Sequence, residues 1–372
     1  MTTVVVGGGL VGLTSVLALL RHGIKVTVLE RGDFSRSASW AGGGILCPLL
    51  PWDAAPELGP LVRWAQAEYP RFCEELAAQS GIDSEWTRSG LLVLESAEQA
   101  AALAWARQTG AVVELVRNEH LREIEPQLNR ELDHGLLLPE VAQVRNNRLL
   151  HAVVLAVRRL GGEVHEPVTV RSIVVKAGRV VGVMTDKGEM AADRVILAAG
   201  AWSAALLGEY GRGLAMEPVR GQMLLYRGAP GMVRHILLKG SHYVVPRRDG
   251  HLLVGSTVER VGFDAATTAA GRQELQAAGA SLVPALAGMP VVGHWAGLRP
   301  ALPRGIPVIA AHPTVEGLFL NTGHYRNGVL LALASARLLT DLILGREPIV
   351  PPKAFSLAAR LAEAKVQASL FE

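Results

Sequence analysis

The sequence predicts an α/β protein, α+β in overall character, with a second, sheet-rich domain. An apolar, β-branched run at 3–6 leads through glycines into an apolar helix and a second strand at 25–29. Two later apolar runs, 163–170 and 193–202, are interpreted as strands that return to the same sheet. Residues 217–258 instead alternate strand-like runs with turn residues, which is typical of an antiparallel sheet.

The first thirty residues contain a complete unit of strand, glycine turn, helix, strand and acid. The glycine turn has the spacing G-x-G-x-x-G, at Gly7, Gly9 and Gly12. In such a unit the first glycine permits a tight turn, the second lets the backbone approach a pyrophosphate, and the third lets helix and strand pack closely. Glu30 ends the second strand, where its carboxylate can accept hydrogen bonds from ribose hydroxyls. These residues predict a Rossmann-like dinucleotide-binding domain with the phosphates at the helix N-terminus.

Composition disfavours several other classes of protein. The chain has 372 residues with 37 basic and 34 acidic side chains, and it lacks a basic run, so nucleic-acid binding is not expected. The cysteines, Cys47 and Cys73, form neither a disulfide framework nor a zinc pattern, and no metal site is predicted. No basic residue precedes Arg21, and glycines interrupt the uncharged start of the chain. We therefore expect a cytoplasmic protein without a signal peptide or membrane span.

A second glycine-rich segment, 42–44, follows a polar stretch. Its neighbours Trp40, Ile45 and Leu46 are apolar and would need burial. Consecutive glycines indicate backbone in unusual conformations or backbone pressed against a flat surface. We interpret the segment as part of a ligand site; the alternative is a flexible loop.

Glycine-rich turns are frequent in one part of the chain and lacking in another, and this difference predicts two domains. The discontinuous cofactor domain is expected to comprise 1–80, 140–215 and 295–372, and the substrate domain 81–139 and 216–294. One dinucleotide fingerprint is present in the sequence, so the electron donor is expected to be a small molecule that meets the cofactor directly.

Four segments together resemble the glycine oxidase and D-amino-acid oxidase family of FAD flavoproteins, in particular the bacterial glycine oxidases of the ThiO type. They are the N-terminal fingerprint, Ser-Trp-Ala-Gly-Gly-Gly-Ile at 39–45, Ala-Gly-Leu-Arg-Pro at 296–300 and Gly-His-Tyr-Arg-Asn-Gly at 323–328. The resemblance covers nearly the whole chain. It implies oxidative deamination of glycine and small D-amino acids, with sarcosine a further candidate, by hydride transfer from Cα to flavin N5 and reduction of O2 to H2O2. It also implies a role in thiamine biosynthesis.

The resemblance further implies which residues surround the flavin. FAD is expected to be bound non-covalently, because the loop at 40–42 has no histidine and no cysteine follows Cys73. The implied cofactor-binding residues are Gly7, Gly9, Leu10, Val11, Gly12, Glu30, Arg31, Ala38, Ser39, Gly43, Gly44, Ile45, Val168, Gly200, Trp202, His324, Tyr325, Arg326, Asn327, Gly328, Val329 and Leu330.

Arg299 is the candidate for binding the substrate carboxylate. A guanidinium pairs bidentately with a carboxylate, and the apolar neighbours of Arg299 would make an unpaired charge costly; the alternative is a structural ion pair. The resemblance places Arg299 and Tyr243 on the carboxylate and Arg326 beside flavin and substrate. Ser241 stands where some glycine oxidases carry a histidine, and strand alternation should point His242 to the other face, so the preferred substrate stays open.

Two other functions stay open from the sequence. One is a D-amino-acid dehydrogenase that passes electrons to a quinone or another acceptor. The other is a non-catalytic flavin-binding or tRNA-modification accessory protein. For the oxidase, the expected partners are a small amino-acid substrate and O2, and a homo-oligomer is compatible with the sequence.

Overall fold

A computed structural model describes residues 1–34, 38–95 and 97–362. The predicted range 295–372 therefore includes residues, 363–372, that lie outside the described part. The helices are α1 (Leu10–Leu20), α2 (Ala38–Ala41), α3 (Gly59–Ser80), α4 (Gln99–Thr109), α5 (Asn118–Ile124), α6 (Asn146–Arg159), α7 (Ser203–Leu207), α8 (Ala269–Leu282) and α9 (Gly328–Leu344). The strands are β1 (Thr3–Val6), β2 (Val26–Leu29), β3 (Thr87–Arg88), β4 (Leu91–Leu94), β5 (Glu114–Arg117), β6 (His134–Leu138), β7 (Ala142–Gln143), β8 (Glu163–His165), β9 (Val170–Lys176), β10 (Arg179–Thr185), β11 (Gly188–Ala191), β12 (Arg194–Leu197), β13 (Glu217–Arg227), β14 (Ile236–Lys239), β15 (His242–Pro246), β16 (His251–Gly255), β17 (Val291–Ala301), β18 (Val308–Ala311) and β19 (Leu318–Thr322).

The cofactor sheet is six-stranded, in the order β18-β19-β12-β1-β2-β8. Its strands pair in parallel except for β18, which runs antiparallel to β19. Both faces are buried: Val5 packs among α1, α3, α6 and α9, whereas Val4 and Val6 pack on the opposite side. Strands buried on both faces read as continuous apolar runs, which is why the sequence pattern identified this sheet. The predicted α/β fold is thereby confirmed.

A three-stranded sheet, β11-β10-β9, covers the second face of the cofactor sheet. It corrects one prediction: residues 163–170 do not form a single strand. β8 ends at His165 after pairing with β2, and Val170 begins β9 in the three-stranded sheet. Pro167 lies between the two strands, and a proline cannot donate the N–H that a continuing ladder needs.

The second large sheet is eight-stranded, in the order β17-β13-β16-β15-β14-β4-β6-β5. It combines β4–β6 with β13–β17, so the two segments predicted for the substrate domain pair with each other. The predicted boundary at 295 falls inside β17, which pairs with β13 from Val291 to Ala301 without leaving the sheet. Glycine and proline at 297 and 300 concealed this long strand in the sequence.

The two faces of the eight-stranded sheet differ in what covers them. On one face Leu224 and Val254 pack against Leu275 and Leu282 of α8. On the other face Met223 and Tyr243 pack toward the segment that contains Cys47. This second face lies toward the cofactor sheet and lines a cavity between the two sheets.

Within the described residues, the segment Tyr325–Leu344 is long and apolar enough by composition to cross a membrane. Of its 18-residue apolar window, 61% is buried inside the protein. α9, which makes up most of it, packs against α1 and α3 in the main core. A core helix of a globular protein can have the same length and apolar composition. These properties are therefore weak evidence for a membrane span.

Candidate active site

A cavity of about 780 Å³ lies between the cofactor sheet and the eight-stranded sheet. One wall is formed where β1, β12 and β19 end, which is the edge at which open parallel sheets bind ligands. The predicted site residues that line it are Gly7, Gly9, Val11, Glu30, Arg31, Ala38, Ser39, Gly43, Gly44, Ile45, Val168, Gly200, Trp202, Tyr243, Arg299, His324, Tyr325, Arg326, Asn327, Gly328 and Val329. Leu10, Gly12 and Leu330 are buried behind this lining.

The three fingerprint glycines have different structural tasks. Gly7 has a φ of +111°, and a Cβ there would lie 2.4 Å from the carbonyl oxygen of Ala198. A Cβ on Gly12 would lie 2.0 Å from the carbonyl oxygen of Gly7. Among the described residues, a Cβ on Gly9 would meet Ser39 Oγ alone, at 3.3 Å. The first and third glycines are thus required by the protein's own packing, whereas the second leaves open space in the cavity.

The turn after β1 is held by two polar side chains. The backbone N–H of Leu10 donates to Ser39 Oγ at 2.9 Å. Glu30 Oε2 accepts from the N–H of Gly8 at 2.7 Å, and Glu30 Oε1 accepts from the N–H of Gly32 at 3.0 Å. Glu30 therefore fixes the turn while it faces the cavity, and each carboxylate oxygen keeps a further lone pair for a hydroxyl donor.

A stack of flat side chains forms another part of the cavity wall. The guanidinium carbon of Arg31 lies 3.3 Å from the ring centroid of Trp202, and the rings of Trp202 and Phe263 are 5.2 Å apart. Burial lowers the pKa of Arg31, an effect that the charge of Glu30 opposes. Such a cation–π stack presents a planar surface to the cavity. Nothing in the sequence around Phe263 indicated this arrangement.

Arg247 holds the second glycine-rich segment in place. Its guanidinium is buried and donates to the carbonyl oxygens of Gly43 at 2.8 Å and Val144 at 2.9 Å, and to Gln143 Oε1 at 2.7 Å. Burial, followed by repulsion from Arg145, lowers the pKa of Arg247 to about 10, so it remains a cation at neutral pH. The segment is therefore fixed by a buried charge, and the alternative of a flexible loop does not describe it.

Arg299 reaches into the cavity from β17. Its Nη2 donates to Ser256 Oγ at 2.7 Å and its Nη1 donates to the carbonyl oxygen of Thr257 at 3.2 Å. Burial lowers the pKa of Arg299, the Tyr243 hydroxyl opposes that shift and Arg326 adds to it. Among the described residues no acidic side chain forms an ion pair with Arg299. This half-buried guanidinium lacks, among the described residues, the structural ion pair that was the alternative interpretation.

Tyr243 lies beside Arg299 on the cavity face of β15. Its hydroxyl donates to the sulfur of Met223 at 3.5 Å. His242 points to the opposite face, where Nε2 lies 2.9 Å from Glu274 Oε1 on α8, as strand alternation predicts. Ser241 is exposed in the turn before β15 and is absent from the cavity lining. Weak bonding to sulfur leaves the tyrosine hydroxyl available for a stronger acceptor.

Arg326 lies in the short helical turn that precedes α9. Its guanidinium carbon is 5.6 Å from the ring centroid of Tyr325, and both residues line the cavity together with Gly328 at the start of α9. The positive end of the α9 dipole thus faces the cavity. His324 is buried, with Nε2 2.8 Å from Ser335 Oγ, and burial lowers its pKa to about 3. It is a neutral imidazole at physiological pH.

Several cavity residues were missed by sequence reasoning. Met223, Ser256 and Phe263 occupy ordinary-looking positions, and no local pattern indicates them. Gly221 could have been found, because an isolated glycine inside an apolar strand indicates close approach of another group. No metal-ligand group of three or more His, Cys, Asp or Glu side chains occurs in the part of the chain that the structure describes, and no metal was predicted.

Comparison with known proteins gives a consistent result over the whole chain. The model of the DAO family, described as FAD dependent oxidoreductase, matches residues 2–342. The glycine oxidase of Pseudomonas aeruginosa is 44% identical over 359 residues, which are 96% of this chain and 99% of that protein. The bifunctional protein ThiO/ThiG of Synechocystis is 34% identical over 92% of this chain and 51% of its own length.

A solved structure agrees with the sequence comparison. The crystal structure of glycine oxidase from Geobacillus kaustophilus superposes with a TM-score of 0.91 at 30% identity, covering 95% of this chain and 97% of that one. The glycine fingerprint, the cavity at the ends of β1, β12 and β19, and the extent of the family match lead to one conclusion. This chain belongs to the DAO family of FAD-dependent oxidoreductases.

Proposed function

We propose that this enzyme oxidatively deaminates glycine and small D-amino acids, with sarcosine as a further substrate. When bound, FAD would supply the acceptor for a hydride from the substrate Cα and the transfer of both electrons to O2, with H2O2 as the product. The observation that carries the proposal is Arg299, a cation in the cavity without an acidic partner among the described residues. The relatives named glycine oxidase support the choice of substrate class.

Arg299 is suited to bind a substrate carboxylate. Two of its N–H groups bond to Thr257 and Ser256, and the guanidinium has further donors for a ligand. A half-buried cation without a counter-ion is incompletely solvated, so an anion that enters the cavity gains a charge-assisted interaction with it. The hydroxyl of Tyr243 can supply a second donor to the same carboxylate. A carboxylate held in this way fixes the position of the adjacent Cα.

The described lining of the cavity offers no general base for the substrate amine. Its described acidic lining residues are Glu30 and Asp33, which belong to the segment after β2. His324 is neutral and bonded to Ser335, and burial raises the pKa of the Cys47 thiol to about 12. Oxidation of an amine that is already neutral needs no such base. The residues of this chain then contribute mainly by binding and orienting the substrate.

The residues present fit FAD. The absent side chain at Gly9 leaves a path past the N-terminus of α1, where backbone N–H groups and the helix dipole favour phosphate. Gly9 and Val11, which line the cavity, would hold the pyrophosphate, and Glu30 would hold the ribose; the N–H of Leu10, predicted to bind the cofactor, is instead donated to Ser39 Oγ. Non-covalent binding is supported by Cys47, since a thiol with its pKa raised to about 12 is a poor nucleophile.

A substrate assay tests this function. We expect purified enzyme with glycine to form peroxide in air, and glycine to bleach the flavin when oxygen is removed. Turnover that needs an artificial dye, with reduced flavin stable in air for minutes, would instead identify a dehydrogenase. A flavin that no amino acid reduces would identify a non-catalytic protein.

Replacing Gly221 with alanine should impair catalysis with little loss of stability. A Cβ at Gly221 would lie 2.0 Å from Nη2 of Arg299. Because the obstructed group is the end of a flexible side chain, Arg299 can move aside and the fold can persist. We expect glycine turnover to fall by at least about tenfold, with unchanged FAD content and a melting temperature within a few degrees of wild type. Normal kcat/KM in Gly221→Ala would contradict this role.

The biological setting is proposed from the resemblance. We propose that the enzyme serves thiamine biosynthesis, as its similarity to ThiO-type enzymes implies. A cytoplasmic location and a homo-oligomeric state stay predictions.

A further inference from the structure

The two faces of β13 carry different side chains. One face lines the cavity that contains Arg299, and the other contacts the segment that holds Arg299. Gly221 and Met223 line the cavity on one face. Arg220 and Gln222 alternate with them and are buried on the other side. Both contact the chain between β16 and α8, which we call the 256–268 segment.

Arg220 fixes the middle of the 256–268 segment by charge. It is 4% exposed, its Nε donates to Glu259 Oε2 at 3.1 Å, and its Nη1 donates to Asp264 Oδ2 at 2.6 Å. Its backbone also pairs with Glu259, with N···O distances of 2.8 and 3.0 Å. A buried arginine with two carboxylate partners holds both in a fixed geometry.

Gln222 fixes both ends of the same segment. Its backbone N–H donates to Thr257 Oγ1 at 2.9 Å. Its side chain donates to Glu259 Oε1 at 2.8 Å and Thr268 Oγ1 at 2.9 Å, and accepts from the N–H of Thr268 at 2.8 Å. The Thr257 hydroxyl donates to Glu259 as well, so Glu259 links Arg220, Gln222 and Thr257.

The start of the 256–268 segment provides the acceptors that hold Arg299. Ser256 Oγ and the carbonyl oxygen of Thr257 receive its two hydrogen bonds, at 2.7 and 3.2 Å. An arginine side chain has many rotamers, so the plane of its guanidinium is defined only if its acceptors are themselves fixed. No acidic partner among the described residues performs this task for Arg299.

We propose that Arg220, with Gln222 and Glu259, is a positioning residue that orients the guanidinium of Arg299 toward the substrate carboxylate from the far face of β13. This rests on the proposed function, in which Arg299 binds that carboxylate. Arg220 itself is absent from the described cavity lining. Its effect reaches the cavity through Glu259, Thr257 and Ser256.

The test uses the FAD-loaded enzyme and acetate, a carboxylate of the size of glycine, as the probe. We expect Arg220→Met to weaken acetate binding about tenfold, measured as perturbation of the flavin spectrum. Flavin reduction by saturating glycine should also slow, because the carboxylate plane is no longer defined. Arg220→Lys and Glu259→Gln, which keep hydrogen bonding, should lie between Arg220→Met and wild type, and FAD content should stay unchanged in all three.

Arg337→Met provides a matched control. Arg337 pairs with the fully buried Asp341 at 2.9 Å on α9, away from the cavity lining. This variant leaves the buried Asp341 carboxylate without its half-exposed arginine partner, so it should lose thermal stability while binding acetate like wild type. A loss of acetate affinity that tracks melting temperature in both Arg220→Met and Arg337→Met would show a general structural effect and overturn the inference.

The Arg299→Leu variant distinguishes an error in the positioning role of Arg220 from an error in the proposed function. If Arg299→Leu loses acetate binding while Arg220→Met, Arg220→Lys and Glu259→Gln bind acetate within about twofold of wild type, the positioning role is wrong and the proposed function stands. If Arg299→Leu still binds acetate normally, the carboxylate site itself is wrong and both fail. Should Arg220→Met not fold, Arg220→Lys and Glu259→Gln decide by the same measurement.

Discussion

Replacing Arg299 with leucine is expected to abolish most of the oxidation of glycine while leaving the flavin in place. Removing one partner of a buried, hydrogen-bonded charge pair costs about 3 kcal/mol or more, which corresponds to at least about a hundredfold in affinity. Acetate should perturb the flavin spectrum of wild type and fail to do so in Arg299→Leu. FAD content should be unchanged, because Arg299 is assigned to the substrate.

Arg299→Lys is the informative companion to this variant. Lysine keeps the positive charge but lacks the planar fork that pairs with both carboxylate oxygens and reaches Ser256 and Thr257. We expect some substrate binding and a reduced turnover number, since orientation is lost. Near-normal oxidation of glycine or D-alanine by Arg299→Leu would mean that the carboxylate is held elsewhere.

The second large effect is expected at Gly9. Replacing Gly9 with valine should yield folded protein without FAD, because the side chain would occupy the path of the pyrophosphate. Gly9 has φ −72° and ψ 172°, an extended conformation that valine adopts, and within the described part of the chain a Cβ there meets Ser39 Oγ alone, at 3.3 Å. The measurement is the ratio of flavin to protein after purification, together with the circular dichroism spectrum. A Gly9→Val protein with full FAD content would overturn the placement of the phosphates.

Two further glycines serve as controls for Gly9→Val. Gly12→Val should fail to fold, because a Cβ there would lie 2.0 Å from the carbonyl oxygen of Gly7. Gly288→Val should fold and keep its FAD, because no atom of the described residues lies within 4 Å of a Cβ at that position. The contrast between the three variants separates a cofactor effect from a packing effect.

The fold was predictable wherever the signal was local in the sequence. β1, α1, β2 and Glu30 lie within thirty consecutive residues, so glycine spacing and apolar periodicity were sufficient to assign them. The β15–β16 hairpin around Asp249 and Gly250 was equally local. Of the predicted site residues, Arg299 and Arg326 depended on short motifs that resemble the family.

The rest of the site depends on contacts between distant parts of the chain. Arg247 binds the carbonyl of Gly43 across 204 residues, and Arg220 binds Glu259 across 39. A hydrogen bond from an arginine to a distant carbonyl group produces no pattern of spacing or periodicity in the sequence. The pairing of the strands determines which carbonyl group the arginine reaches. The same holds for Phe263, whose stacking on Trp202 requires the 256–268 segment to pass over the cavity.

The strand order of the cofactor sheet constrains how the enzyme is made. β1 carries the dinucleotide fingerprint, but its neighbour β12 pairs with β19, whose residues end at Thr322, and α9 ends at Leu344. The fingerprint must therefore wait until β19 and α9 have been synthesised before the cavity can form. We expect FAD to bind only after β19 and α9 have joined the sheet and the core, so the supply of flavin acts on polypeptide that already contains α9.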